Sequence, residues 1–188
     1  FPHCVLIFLT VLLCLTTMGG DYVVFKSKLA SNSLIFRAMS DTFLHGGIGF
    51  LSSLIFFSYN SGLTPYACLF NIMWCTFVSS AIDIDHVLMA KSFSFKDITS
   101  VPLRGLLHCT TLWLLLTLPL LAYTFASHHI RDANRRGLWM YPFGNTPPIN
   151  KPLYLFLIMA TPNICAFIFL STNSKVYKST IVNYKWLD

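Results

Sequence analysis

A few histidines and aspartates at the edges of long apolar runs are the residues of this chain best suited to chemistry. The two densest groups are residues 83–86, Asp-Ile-Asp-His, and residues 128–132, His-His-Ile-Arg-Asp. Ionisable groups at membrane depth, or at its edge, are costly and indicate a functional site by default. Imidazole and carboxylate groups bind metals and also carry protons. The sequence therefore predicts a metal or proton site.

Helical spacing links the histidines of the second group to its aspartate. His128 and Asp132 are four residues apart, and His129 and Asp132 are three apart. A helix can therefore aim either histidine, together with the carboxylate, at one cation. We expect one histidine of the pair to be a ligand and the other to be structural. Arg131 is interpreted as a positive loop charge that faces elsewhere.

Asp83, Asp85 and His86 follow directly on an apolar run. If its helix continues, Asp83 and His86 share a face; if the chain unwinds, Asp83 and Asp85 share one. Cap chemistry alone does not explain these acids, because negative groups at a helix C-terminus oppose the helix dipole. Either arrangement offers two ligands to one cation, and an Asp83 or Asp85 that does not bind the metal is then a candidate general base of a hydrolytic reaction.

Two further histidines lie near the ends of apolar runs. Ser40 or Asp41 is a candidate N-cap. Asp41 and His45 stand one helical turn apart, before glycines that permit a neighbouring helix to approach closely. Taken alone, His45 is more simply a histidine bonded to a carbonyl. Arg104 lies one turn before His108 and either binds an anionic substrate, as a catalytic residue, or reaches lipid headgroups.

The composition indicates an integral membrane protein. Of its 188 residues 55% are hydrophobic and 11% are charged, and the mean hydropathy is +0.63. We expect one all-α, multi-pass membrane domain over residues 1–188, since only helices satisfy their own backbone in lipid and no barrel pattern is present. We also expect the chain to be truncated at its N-terminus, within a first span. The apolar runs are residues 4–18, 43–59, 65–81, 106–126 and 153–171.

The fourth run decides whether the histidines can meet. A continuous helix from His108 to His128 would be about 30 Å long and would place them on opposite faces of the bilayer. The alternative is a hairpin of two half-helices broken near Pro119, which is tolerated where it is buried in protein. The distribution of Lys and Arg between the loops on the two sides of the membrane weakly favours the hairpin.

The net charge of +6 does not indicate nucleic-acid binding. The thirteen Lys and Arg are spread through the loops and form no basic run. Positive loops that face the cytosol and anionic lipid explain them. We therefore expect membrane lipid as the partner, no nucleic acid, and a site on the cytosolic side.

These motifs, taken in order, resemble a known family. Residues 82–86, 104–108 and 128–132 follow the pattern of the YdjM-like family of bacterial multi-pass proteins, which are expected to be membrane-bound metal-dependent hydrolases. Residues 107–109 and 127–132, with others between about 36 and 170, more closely resemble the animal transmembrane protein 267 family, of unknown function.

The resemblance implies a set of metal-binding positions. They are His45, Asp83, Asp85, His86, His108, His128 and Asp132. The chain departs from the bacterial pattern at Leu107 and Cys109, where the family has Thr and Ser, so that polar groups beside the metal are lost. The stretch before residue 128 is also about half as long as in the family, which has room there for two spans.

Three functions are compatible with these observations. The first is a hydrolase that uses Zn, Mn or Fe to cleave an ester or a lipid-borne phosphoester. The second is a non-catalytic structural protein that retains a metal-binding core. An ion or proton transporter ranks lower, because a relay needs polar groups through the whole membrane and the centres of these runs are Leu, Ile and Phe.

Overall fold

In a computed structural model, every regular element of the described residues is a helix. The described residues are 2–59, 64–92, 94–100, 105–116 and 119–171. The helices are α1 (Pro2–Lys26), α2 (Lys28–Asn32), α3 (Leu34–Ser58), α4 (Pro65–Ala81), α5 (Ile84–Ala90), α6 (Phe95–Ser100), a 3-10 turn (Leu106–His108), α7 (Thr110–Leu116), α8 (Pro119–Arg136) and α9 (Lys151–Ser171).

Three helical segments in the described part of the chain are long and apolar enough to cross a membrane. They are His3–Asn32, Pro65–Ala90 and Lys151–Ser171. Their large apolar side chains are widely exposed, as expected of helices that face lipid. This confirms a helical membrane protein, whereas the predicted count of five apolar segments is not confirmed.

Helix α3 lies at the centre of the bundle and packs against α1, α4, α8 and α9. Its N-cap is Ser33, whose hydroxyl accepts a hydrogen bond from the Phe36 amide. The N-cap predicted at Ser40 or Asp41 is therefore wrong. The helix begins two turns earlier because Ser33 supplies an equivalent cap, so Asp41 and His45 both lie inside the helix.

Glycines of α3 allow α4 to approach closely, as the sequence predicted. A Cβ atom on Gly46 would lie 2.5 Å from the Ser80 hydroxyl, and one on Gly49 would lie 2.6 Å from the Ser79 Cβ. In this tight contact the Ser79 hydroxyl donates a hydrogen bond of 2.9 Å to the carbonyl of His45. The contact aligns the N-terminal half of α3 with the C-terminal end of α4.

The chain breaks its helix between α4 and α5. Helix α4 ends at Ala81, Ile82 and Asp83 form a turn, and α5 resumes at Ile84. Of the two predicted alternatives, continuation and unwinding, the structure therefore has a short interruption. At this turn the amides of Asp85 and His86 donate to the carbonyls three residues earlier, of Ile82 and Asp83, and both Asp83 and Asp85 reach His108.

The fourth apolar run folds back on itself. The Nε2 atoms of His108 and His128 lie 3.3 Å apart, which a continuous helix between them does not allow. The predicted hairpin is therefore confirmed and the straight span is wrong. Its second arm, α8, begins at Pro119, where proline is favoured because the first helical turn needs no amide donor. The preceding Thr117 and Leu118 lie outside the described residues.

The Pro/Gly-rich stretch after α8 is an ordered loop. Its backbone pairs with the hairpin, where the Thr110 amide donates to the Trp139 carbonyl at 2.9 Å. It also pairs with α8, where the Ile149 amide donates to the Ala133 carbonyl at 2.9 Å. The loop thus fixes both arms of the hairpin before the chain enters α9.

Candidate metal centre

The seven predicted metal ligands lie in one cluster, where α3, the α4–α5 break and the hairpin meet. Its members are His45, Asp83, Asp85, His86, His108, His128 and Asp132. Five of them are buried, and only Asp83 and His86 are partly exposed. Buried charges that gather in this way need a compensating cation or extensive pairing.

Three ligand atoms at the centre of the cluster form a nearly equilateral triangle. The Asp83 Oδ1 atom lies 3.5 Å from His108 Nε2 and 3.6 Å from His128 Nε2, and the two nitrogens are 3.3 Å apart. Ligands placed tetrahedrally around zinc are separated by about 3.4 Å. A fourth atom, Asp132 Oδ2, lies 3.5 Å from His108 Nε2. The spacing therefore fits one tetrahedral metal ion.

The outer nitrogens of both histidines are already held by acceptors. His108 Nδ1 lies 2.9 Å from the carboxylate of Asp85, and His128 Nδ1 lies 3.1 Å from the Ser79 carbonyl. Since a carbonyl only accepts, His128 must carry a proton on Nδ1, and a carboxylate places a proton on Nδ1 of His108 as well. Both Nε2 atoms therefore face the triangle, where His128 offers a lone pair and His108 offers a proton or, when a metal replaces that proton, a lone pair. Metal-binding histidines are oriented in the same way, by a partner on the other nitrogen.

The electrostatics favour positive charge in the triangle. Burial lowers the pKa of His108, but hydrogen bonds with Asp83 and Asp85 outweigh this effect and raise that pKa to about 9. Burial would raise the pKa of Asp132, yet His128 and the other neighbouring positive groups hold it well below its ordinary value. The carboxylates are thus ionised and attract either a proton or a metal ion.

His45 belongs to the cluster but is held differently. Its ring stacks on His128, with centroids 3.8 Å apart. Its Nε2 atom accepts a hydrogen bond of 2.6 Å from Arg131 and lies 3.9 Å from Asp132 and 4.0 Å from Asp83. In this arrangement the Nε2 lone pair is directed at Arg131. His45 therefore lines the site beside the triangle.

Arg131 is part of the site, and the prediction that it faces elsewhere is wrong. Its side chain is buried, 2% exposed, and contacts Asp41 at 2.6 Å and Asp21 at 3.3 Å. Tyr154 of α9 donates a hydrogen bond of 3.0 Å to the same Asp21. The sequence offered two signals that Arg131 belongs to the site. Arg131 lies three residues after His128 and hence on the same helical face. Asp21, its partner, is a charged residue inside the first apolar helix.

The second histidine of the pair, His129, lies outside the cluster. Its Nδ1 atom is 3.1 Å from the Thr110 hydroxyl of the first hairpin arm. His128 therefore provides the imidazole that meets Asp132, and His129 connects the two arms. Arg104, predicted to be catalytic, lies outside the described residues, so its role stays a prediction.

Asp85 faces the outer nitrogen of His108 and is itself buried. Gly105 makes room for it: a Cβ atom there would lie 2.5 Å from Asp85 Oδ2. The Asp85 carboxylate therefore contacts Nδ1 of His108, on the side of the ring opposite the triangle. This arrangement suits an orienting group better than the general base that the sequence suggested, since Asp85 does not border the adjoining cavity.

We expect the substitution Gly105→Ala to weaken metal binding by about 10–100-fold, because it displaces Asp85 from His108. Competition with a chelating dye measures the affinity. Gly47→Ala is the matched control, since a Cβ there has nothing within 4 Å. Equal affinities of the two variants would contradict the orienting role of Asp85.

A cavity of about 570 Å³ adjoins the cluster. Asp83, His86 and Asp132 border it, and helices α3, α4, α5 and α8 contribute its other walls. Among the histidines of the cluster His86 is the most accessible, with 21% of its side chain exposed. A molecule in this cavity therefore meets the triangle through Asp83, with Asp132 and His86 beside it.

Comparison with known proteins finds several relatives that share one name. The chain is 35% identical to a Bos taurus protein named transmembrane protein 267 over 163 residues, which cover 77% of the chain and 74% of the relative. Relatives of the same name from Danio rerio and Mus musculus are 34% and 31% identical and cover 77% and 74% of the chain, each over 72% of its own length. No family model and no solved structure matches the chain.

Proposed function

The chain belongs to the transmembrane protein 267 family, and we propose that it is a multi-pass, metal-dependent membrane hydrolase. The observation that carries this proposal is the triangle of Asp83, His108 and His128, in which the Nε2 atoms of both imidazoles face inward. The ordered resemblance to the YdjM-like family supports it. The substrate is an ester or phosphoester at the membrane surface.

Asp83, His108 and His128 would hold a divalent ion, with Zn, Mn or Fe suited to this donor set. Three protein ligands leave one position open, as in catalytic zinc sites. The ion, when bound, would acidify a water molecule and polarise the ester oxygen. Asp132, 3.5 Å from His108 Nε2, completes or borders that position.

His86 is the proton carrier of the proposed reaction. It borders the cavity, and its Nε2 atom lies 3.8 Å from Asp83 Oδ1. Water adds to the phosphorus or carbonyl carbon, and His86 takes the proton that the water loses. The bond to the leaving oxygen then breaks, and His86 returns the proton to that oxygen. The products are an acid and an alcohol.

The proposed topology places the site at one membrane face. Helices α1, α4 and α9 cross the membrane together with α3, and the hairpin returns to the face from which it starts. Positive residues gather at the end of the bundle that holds the site, which favours the cytosolic side. They include Lys26, Lys28, Arg37, Lys91, Arg135, Arg136 and Lys151.

Metal content and turnover test the proposal. We expect the purified protein to contain a stoichiometric transition metal by elemental mass spectrometry, and the variant His108→Ala/His128→Ala to contain none. His129→Gln is the control, because that ring bonds to Thr110 outside the cluster. We also expect the wild type, in nanodiscs, to hydrolyse a member of an ester and phosphoester lipid panel.

The two measurements separate the possible outcomes. Equal metal content in the wild type and the double variant would overturn the metal site. Stoichiometric metal without turnover on the panel would overturn the hydrolase and favour a structural metal-binding core.

A further inference from the structure

The cavity beside the cluster has a positively charged rim. Arg37 on α3 and Arg135 and Arg136 on α8 border it. Arg37 and Arg135 both lie against the ring of Phe25, with their guanidinium carbons 5.7 Å and 4.3 Å from its centroid. The aromatic ring of α1 thus holds two of the arginines in place by cation–π contact.

Two of these arginines are available to a ligand. Arg135 is paired with Asp132 at 3.4 Å and with Asp41 at 3.8 Å. Arg37 and Arg136, in contrast, make no ion pair with any described residue and are exposed. Two open guanidinium groups match the charge of about −2 that a phosphate monoester carries at neutral pH.

The opposite walls of the cavity are apolar and continue to the outer surface. Leu34 and Met39 of α3, Phe77 of α4 and Ile84 of α5 all border the cavity. Their exposed fractions are 46%, 47%, 61% and 57%. A ligand with a hydrocarbon chain can therefore leave the cavity along the exposed apolar surface of these side chains, which faces lipid.

From these features we propose that the cavity binds a lipid phosphate monoester, with its phosphate at Arg37 and Arg136 and its acyl chains against the exposed apolar side chains of the cavity wall. The lipid is the substrate class of the hydrolase proposed above, and to that extent this inference rests on that function. Hydrolysis would add water across the phosphorus–oxygen bond and release diacylglycerol and inorganic phosphate. A soluble phosphate lacks the chain that the apolar walls accommodate.

Binding can be measured without turnover. The full chain in detergent, with a chelator present, is titrated with dioleoyl phosphatidic acid and followed by native mass spectrometry. We expect binding at least tenfold tighter than that of dioleoyl phosphatidylcholine. We expect Arg37→Gln/Arg136→Gln to lose roughly tenfold or more of the affinity. Lys28→Gln/Lys151→Gln, which removes two exposed charges outside the cavity lining, is expected to bind like the wild type.

Two further arms identify the source of the phosphate and the role of the cavity. Glycerol 3-phosphate and inorganic phosphate are expected to compete at least a hundredfold more weakly than the lipid; equal competition would overturn a lipid site. Ala81→Phe fills the cavity wall and leaves the arginines intact, so it is expected to abolish lipid binding. If Ala81→Phe does not fold, the arginine variant still decides the question.

The outcomes separate this inference from the proposed function. Unchanged lipid binding in the arginine variant overturns the lipid site while the metal content stays intact. Lipid binding that depends on these arginines, in a protein that contains no metal and turns over no substrate, overturns the hydrolase and leaves the lipid site standing.

Discussion

Chelation of the metal is expected to lower the stability of the protein by about 4 kcal/mol when the free metal had been present at about 1,000 times its dissociation constant. The physical reason lies in the triangle, where the ionised carboxylates of Asp83 and Asp132 lie within 3.6 Å of the Nε2 atoms of His108 and His128. A bound divalent cation offsets the cost of burying these carboxylates and links three elements of the fold.

Thermal unfolding in detergent, followed by tryptophan fluorescence, measures this effect with and without the chelator. The unfolding temperature is expected to rise with metal concentration in the wild type and in His129→Gln. It is expected to be independent of metal in His108→Ala/His128→Ala. A wild type that melts at the same temperature under both conditions would contradict a metal in the folded state.

The substitution Arg131→Met is expected to destabilise the protein by about 3 kcal/mol, the low end of the range for a broken buried ion pair. It leaves Asp21 and Asp41 without their common partner and removes the hydrogen bond to His45. The loss stays at the low end because the two carboxylates are 13% and 24% exposed, so water still reaches them.

A matched series separates charge from packing. Arg136→Met, on the exposed side of the same helix, is expected to change the free energy of unfolding by less than about 0.5 kcal/mol. The triple variant Arg131→Met/Asp21→Asn/Asp41→Asn is expected to recover most of the loss, because it leaves no unpaired charge. A triple variant as unstable as Arg131→Met would show that the arginine acts through packing alone.

Local spacing was sufficient to predict much of the site. His128 and Asp132 share a helical face by their separation alone, and both reach the cluster. A length argument showed that only a hairpin could bring His108 to His128, but it left open whether the chain forms a hairpin or a straight span. Pro119 indicated where the chain would turn. These features depend on residues close together in sequence, whose relative positions follow from their spacing along a helix.

Contacts between distant segments were not predictable in the same way. Arg131 bonds to Asp21 across 110 residues, and no local pattern relates the two. The start of α3 was misplaced because Ser33 and Asp41 are both competent N-caps, and packing of the extended helix against α1 and α2 decides between them. Asp83 lies at Nε2 of His108 and Asp85 lies at Nδ1, and this arrangement depends on the turn that Ile82 and Asp83 form between α4 and α5.

The hairpin also bears on how the protein is made. In the proposed topology, a straight fourth span would oblige His128 and the arginines after it to be transferred through the bilayer during synthesis. Because the chain turns back before α8, these ionisable groups stay on the side where His108 lies. The ionisable residues of α8, whose transfer would be costly, therefore never cross the hydrocarbon core. These residues join His45 and Asp83, which are synthesised earlier, so the complete site can form only after α8 has been synthesised.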